Sequence, residues 1–163
     1  MNDHLLERIL MKSKILFVLL ALSGVAIHAQ TVEVRDAWVR TAVPGQQGTG
    51  AFMKITSKTD TRLVGVSTPV AGVAEVHEMK MDNDVMRMRA VPSLDLRAGQ
   101  ALELKPGGYH LMLMQLKQAL PPGSSVPVTL HFRDAKGAES KLDLTLAVSR
   151  TAPPADAAHG HKH

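Results

Sequence analysis

The chain reads as all-β, a sandwich or barrel of Greek-key type, and three observations predict it. Apolar residues recur with period two through most of the 163 residues, as in strands with one buried face. Turn formers such as Pro44-Gly45, Asp82-Asn83, Pro106-Gly107-Gly108, Pro121-Pro122-Gly123 and Lys136-Gly137 interrupt the alternation at short intervals. No segment carries the three-to-four spacing of an amphipathic helix. Short strands between closely spaced turns build sandwiches and barrels.

The elements follow in order. Lys12 and Lys14 precede an apolar run, Ile15 to Ile27, that ends in His28-Ala29-Gln30. A basic head, an apolar stretch and a small residue before the cut describe a secretory signal peptide. Residues 1–29 are therefore expected to be removed, with cleavage after Ala26 as the alternative. The run is short against the ~20 apolar residues of a membrane helix, so no membrane insertion is expected after cleavage. The working compartment is then the periplasm. Residues 30–150 are the expected single domain. Its strands are expected at 32–40, 50–57, 62–68, 74–81, 85–90, 101–105, 109–116, 126–132 and 142–148, about eight or nine in all. From residue 151 to 163 alternation stops, and Pro, Ala and His form an expected disordered tail.

Composition narrows the function. Net charge is +4 without any basic run, which argues against nucleic acid as a partner. Aromatic residues are 3% of the chain, so aliphatic side chains and methionine must fill the interior. Cysteine is absent. That excludes disulfides, thiolate zinc sites, iron–sulfur ligation, a lipid-modified N-terminal cysteine and the thiolate of a blue-copper centre. There is no phosphate loop, no HExxH and no plausible serine nucleophile with its partners, so no enzyme is expected.

Between His77 and Met114 lie six of the nine methionines, with His77 at the start and His110 near the end. Two imidazoles and two thioethers, without thiolate or carboxylate, suit Cu(I) better than a hard ion. Strand alternation puts His77, Met79 and Met81 on one face, Met86 and Met88 on one face, and His110, Met112 and Met114 on one face. Asp82-Asn83 between the first two runs predicts a hairpin. Placed beside the 109–116 strand, it would bring His77, Met88, His110 and Met112 into one coordination sphere. Each residue alone has a plainer reading, since methionine fills irregular core gaps. Packing does not call for histidines interleaved with methionines on shared faces.

The spacing His-x10-Met-x21-His-x-Met, as His77, Met88, His110 and Met112, resembles the ligand motif of the periplasmic copper chaperones called the PCu(A)C family. The words VHEMKM, VMRMR and LKPGGYHLMLMQLK, and the earlier DAWVR and GAFM, are similar to that family from about residue 32 to 148. The resemblance implies a cupredoxin-like Greek-key β-sandwich binding Cu(I) at an exposed site. It also implies delivery of copper to the CuA centre of cytochrome c oxidase subunit II, alongside a Sco-type thiol chaperone.

Met79, Met81, Met86 and Met114 are candidates for accessory positions: an access path, a substitute ligand or a pocket wall. Met53 is expected in the core. Arg87 and Arg89 should face away from the sulfurs, and Glu78, opposite His77, is not counted as a ligand. His131, on the face away from the apolar alternation, is read as a solvent histidine, and Trp38 and Tyr109 as packing residues. His159, His161 and His163 alternate in the tail and could gather Cu(II). Three other functions share parts of the pattern. A copper storage or resistance protein would use every ligand. A copper monooxygenase would need His28 as its N-terminus, behind an unfavourable Ile27. A metal-free interaction module would use the methionines as packing.

Overall fold

The computed structural model describes residues 31–154. The expected signal peptide and the tail histidines His159, His161 and His163 lie outside the described residues. Ten strands follow: β1 (Val32–Arg40), β2 (Gly48–Ser57), β3 (Thr61–Ser67), β4 (Ala71–Asp82), β5 (Val85–Ala90), β6 (Leu94–Leu96), β7 (Ala101–Leu104), β8 (Tyr109–Leu116), β9 (Ser125–Asp134) and β10 (Glu139–Ser149). Alternation locates nine of them. It misses β6, whose three residues bury only Leu94 and Leu96, too short a run to display a period.

The strands form one sheet in the order β5-β4-β8-β2-β1-β10-β9-β3-β6, with β7 also on β2. Three pairs of chain neighbours stay together, β1–β2, β4–β5 and β9–β10; the rest are rearranged, with β8 between β4 and β2 and β1 beside β10. β1 links the two halves, pairing antiparallel with β2 and parallel with β10 through Trp38–Arg40. Ala51, Met53, Ile55, Leu111 and Leu113 from one half share a single core with Val126, Val128, Leu130, Phe132, Leu142 and Leu146 from the other. The sheet therefore closes on itself as a sandwich, and burial of each of these side chains larger than alanine contributes about 1.5–3 kcal/mol. The expected fold class holds.

Two features place the site. β2 divides its edge, giving Gly48–Ala51 to β8 and Met53–Thr56 to β7. The β4–β5 hairpin runs past the start of β8, because β4 pairs with β8 only as far as Glu78 opposite Tyr109. Its Asn83 and Asp84 both have positive φ, 48° and 60°, the backbone of a two-residue type I′ hairpin turn. That turn fixes the register of everything behind it.

Candidate metal centre

The register of three strands assembles the site. Between β4 and β8, His77 opposes His110, Glu75 opposes Met112 and Val73 opposes Met114. Between β4 and β5, His77 opposes Ala90, Met79 opposes Met88 and Met81 opposes Met86. Opposed residues share a face, and so do residues two apart. His77, Met88, His110 and Met112 therefore lie on one face of β5-β4-β8. Met79, Met81, Met86 and Met114 share it. The opposite face sends Val76, Leu111 and Leu113 into the core.

Both imidazoles are held in a defined tautomer. His110 Nδ1 lies 3.1 Å from the Gly108 carbonyl; a carbonyl only accepts, so Nδ1–H donates and Nε2 keeps its lone pair. His77 Nε2–H donates to the Glu75 carboxylate at 2.9 Å. Its Nδ1 is buried and meets no partner within the protein. Buried polar atoms are nearly always satisfied, so a lone pair kept free beside a second imidazole is suited to a metal. A carboxylate holding the far nitrogen is the usual support of a metal-bound histidine. The rings are 8% and 7% exposed, with centroids 6.0 Å apart.

The thioethers complete the face from two sides. Met112 is opposed on β2 by Gly50, and Met114 by Gly48. A Cβ on Gly48 would come within 3.2 Å of the Met112 methyl, and one on Gly50 within 2.8 Å of the Phe52 ring. The two glycines thus leave the room that the thioether and the ring occupy. Phe52 walls the site 6.4 Å from His110, packs 4.8 Å from Trp38 and lies under the Arg40 guanidinium. On the far side Met88 sits on the edge strand and is 48% exposed, leaving the site open there.

Glu75 is the residue that sequence reasoning missed. The face was read as free of carboxylate, yet Glu75 shares it, two residues before His77 and opposite Met112. The spacing was visible in the sequence; the rotamer that turns the carboxylate back to the ring was not. Among the described residues no three of His, Asp and Glu gather into a metal cluster, so a fuller donor set here needs sulfur. The arginines face away as expected, but this chain's own acids already hold them. Arg89 pairs with Glu78 at 2.7 Å and Arg87 with Asp82 at 3.2 Å. The Arg89 hydrogen bond keeps the Glu78 carboxyl below its usual range, whereas burial and the Glu78 charge push the Tyr109 hydroxyl up. Met53 and Trp38 are buried, and His131 bonds the Ser67 hydroxyl at 2.9 Å.

The family model described as "Putative lipoprotein LpqE-like" matches residues 32–144. The "Putative lipoprotein Lxx21020" of Leifsonia xyli subsp. xyli is 34% identical over 139 residues, 78% of this chain and 84% of that protein. The chain belongs to the LpqE-like family. Of solved structures, apo-DR1885 from Deinococcus radiodurans has TM-score 0.56 at 31% identity, over 76% of this chain and 82% of that one. The CuI form of DR1885 has TM-score 0.54 at 29% identity, over 75% and 82%. The apo PCuAC domain from PmoF1, TM-score 0.56 at 24% identity over 74% and 95%, shares the fold. This LpqE-like chain therefore has the fold of a PCuAC domain.

Proposed function

We propose that the protein is an exported copper chaperone. It binds one Cu(I) through His77, His110, Met88 and Met112 and passes it to the CuA centre of cytochrome c oxidase subunit II, with a Sco-type thiol chaperone alongside. The observation that carries the reading is the unpartnered, buried His77 Nδ1, on the same face as a second imidazole and the two thioethers. Two supports lie outside this chain: the fold it shares with PCuAC domains, and a Cu(I) form of a structural relative 29% identical to it.

The donor set accounts for transfer. Thioether and imidazole favour the soft monovalent ion, and none of the four is an anion that would hold it against an incoming thiolate. Met88, on the open edge, is displaced first. The partner then takes the vacated position while His77, His110 and Met112 still hold the metal, so copper is never free. The walls built by Phe52 and Met112 leave that edge as the approach. Chemistry stops at ligand exchange, and no bond of a substrate is made or broken. The tail histidines His159, His161 and His163 are proposed to gather Cu(II).

A storage or resistance protein that buffers periplasmic copper is the second reading, favoured by the exposed extra methionines. Mixing the Cu(I)-loaded protein with an apo-CuA domain separates the two. The chaperone reading expects the CuA absorption bands to appear stoichiometrically once oxidant is supplied. Copper retained on this chain, with no bands formed, supports storage instead.

A further inference from the structure

One four-donor centre does not use all the methionines of the β4–β5 hairpin. The Val91 amide donates to the Val76 carbonyl, while the Met79 amide turns the other way, to the Gly108 carbonyl. Antiparallel pairs alternate between hydrogen-bonded and non-hydrogen-bonded. The bonded pairs are therefore Glu78 with Arg89, Lys80 with Arg87, and Asp82 with Val85. Met79 with Met88 and Met81 with Met86 occupy the non-hydrogen-bonded positions, where opposed side chains come closest, with Cβ atoms ~5 Å apart.

These thioethers do not serve the core. Met81, Met86 and Met88 are 57%, 46% and 48% exposed, at the end of a ribbon that carries Lys80, Arg87 and Arg89 on its other face. An apolar row on an edge strand invites aggregation and gains no packing here. What the four side chains share is a soft sulfur on a flexible stem.

We infer that Met79, Met81 and Met86, with Met88 shared, form a second and weaker Cu(I) site on the hairpin, feeding the His77–His110 centre. Successive methionine pairs lie about 7 Å apart along the strands, within the combined reach of two flexible side chains. The ion advances by exchange: one thioether leaves as the next arrives, and copper stays monovalent throughout. Met88 belongs to both donor sets and is the crossing point. The weaker binding stands by itself; only the destination rests on the function proposed above.

The test is an anaerobic Cu(I) titration of protein carrying 13C-labelled methionine methyl groups, followed by two-dimensional NMR. In the wild type the first equivalent should shift Met88 and Met112, and the second should shift Met79, Met81 and Met86. The double variant Met81→Leu/Met86→Leu, which keeps shape on an exposed ribbon, should retain the first event and weaken the second at least tenfold. His110→Ala should weaken the first event and leave the second. A second equivalent that moves no hairpin methyl, or a double variant that titrates like the wild type, overturns the hairpin site. Hairpin methyls that move while Met112 stays fixed would overturn the four-ligand centre and leave the hairpin site standing.

Discussion

Glu75 and His77 sit two residues apart on one face of β4, and that spacing sets which imidazole nitrogen is free. Replacing Glu75 with Gln removes the charge behind the ring while keeping the side chain's size. Supports of this kind are worth about 10–100-fold in metal affinity. Glu75→Gln should therefore weaken Cu(I) binding by roughly tenfold in competition with a chromophoric chelator, at unchanged circular dichroism. Gly50 tests the wall. A methyl there would press on the Phe52 ring at 2.8 Å, so Gly50→Ala should cost about 1–3 kcal/mol in denaturant unfolding and alter Trp38 fluorescence through the tilted ring packed against it. At this scale the gathering of the four candidate donors on one face was legible, because strand alternation and a hairpin turn dictate it. Their supports were not: Glu75, Gly48 and Gly50 act through a rotamer and a cross-strand register that one strand's sequence does not contain.

The hairpin is the element on which the account turns. The alternation of residues 74–81 and 85–90 around Asp82-Asn83 gave away both strands, and β5 and β8 begin and end where it says. The turn itself sits one residue later, at Asn83-Asp84, and this sets Met79 rather than His77 opposite Met88. Its outer face is braced by Glu78 and Arg89. Because Arg89 lowers the native pKa of Glu78 from the ordinary 4.5, the pair supports the fold at pH above that value. The support drains away as pH falls through the lowered native value. Amide exchange of β5 should therefore quicken between neutral pH and pH ~3, after correction for intrinsic rates, relative to that of β9. In Arg89→Ala the same comparison should be nearly flat. An unchanged wild-type profile in β5 would contradict the brace.

For the whole molecule, the sandwich and the metal face are separable. The core is one shared cluster on one side of β4 and β8, and the donors lie on the other. Leu130→Ala, in a fully buried position of β9, should cost about 2–5 kcal/mol and leave the copper stoichiometry of the folded protein unchanged. Met88→Leu should do the reverse, weakening copper binding with little change in thermal unfolding, since its side chain is half exposed. Sandwich architecture was readable because period-two burial repeats in strand after strand. Sheet order was not, beyond the hairpin set beside β8, because pairing β8 with β2 and β1 with β10 joins segments far apart in the chain.

The account depends on two imidazoles and two thioethers meeting one Cu(I). X-ray absorption at the copper edge of the one-to-one complex tests that directly, in the wild type and in Met88→Leu. The wild type should give a Cu(I) edge with two nitrogen and two sulfur scatterers, and the variant should lose one sulfur. A first shell of nitrogen and oxygen alone, or a spectrum that Met88→Leu leaves unchanged, would contradict it.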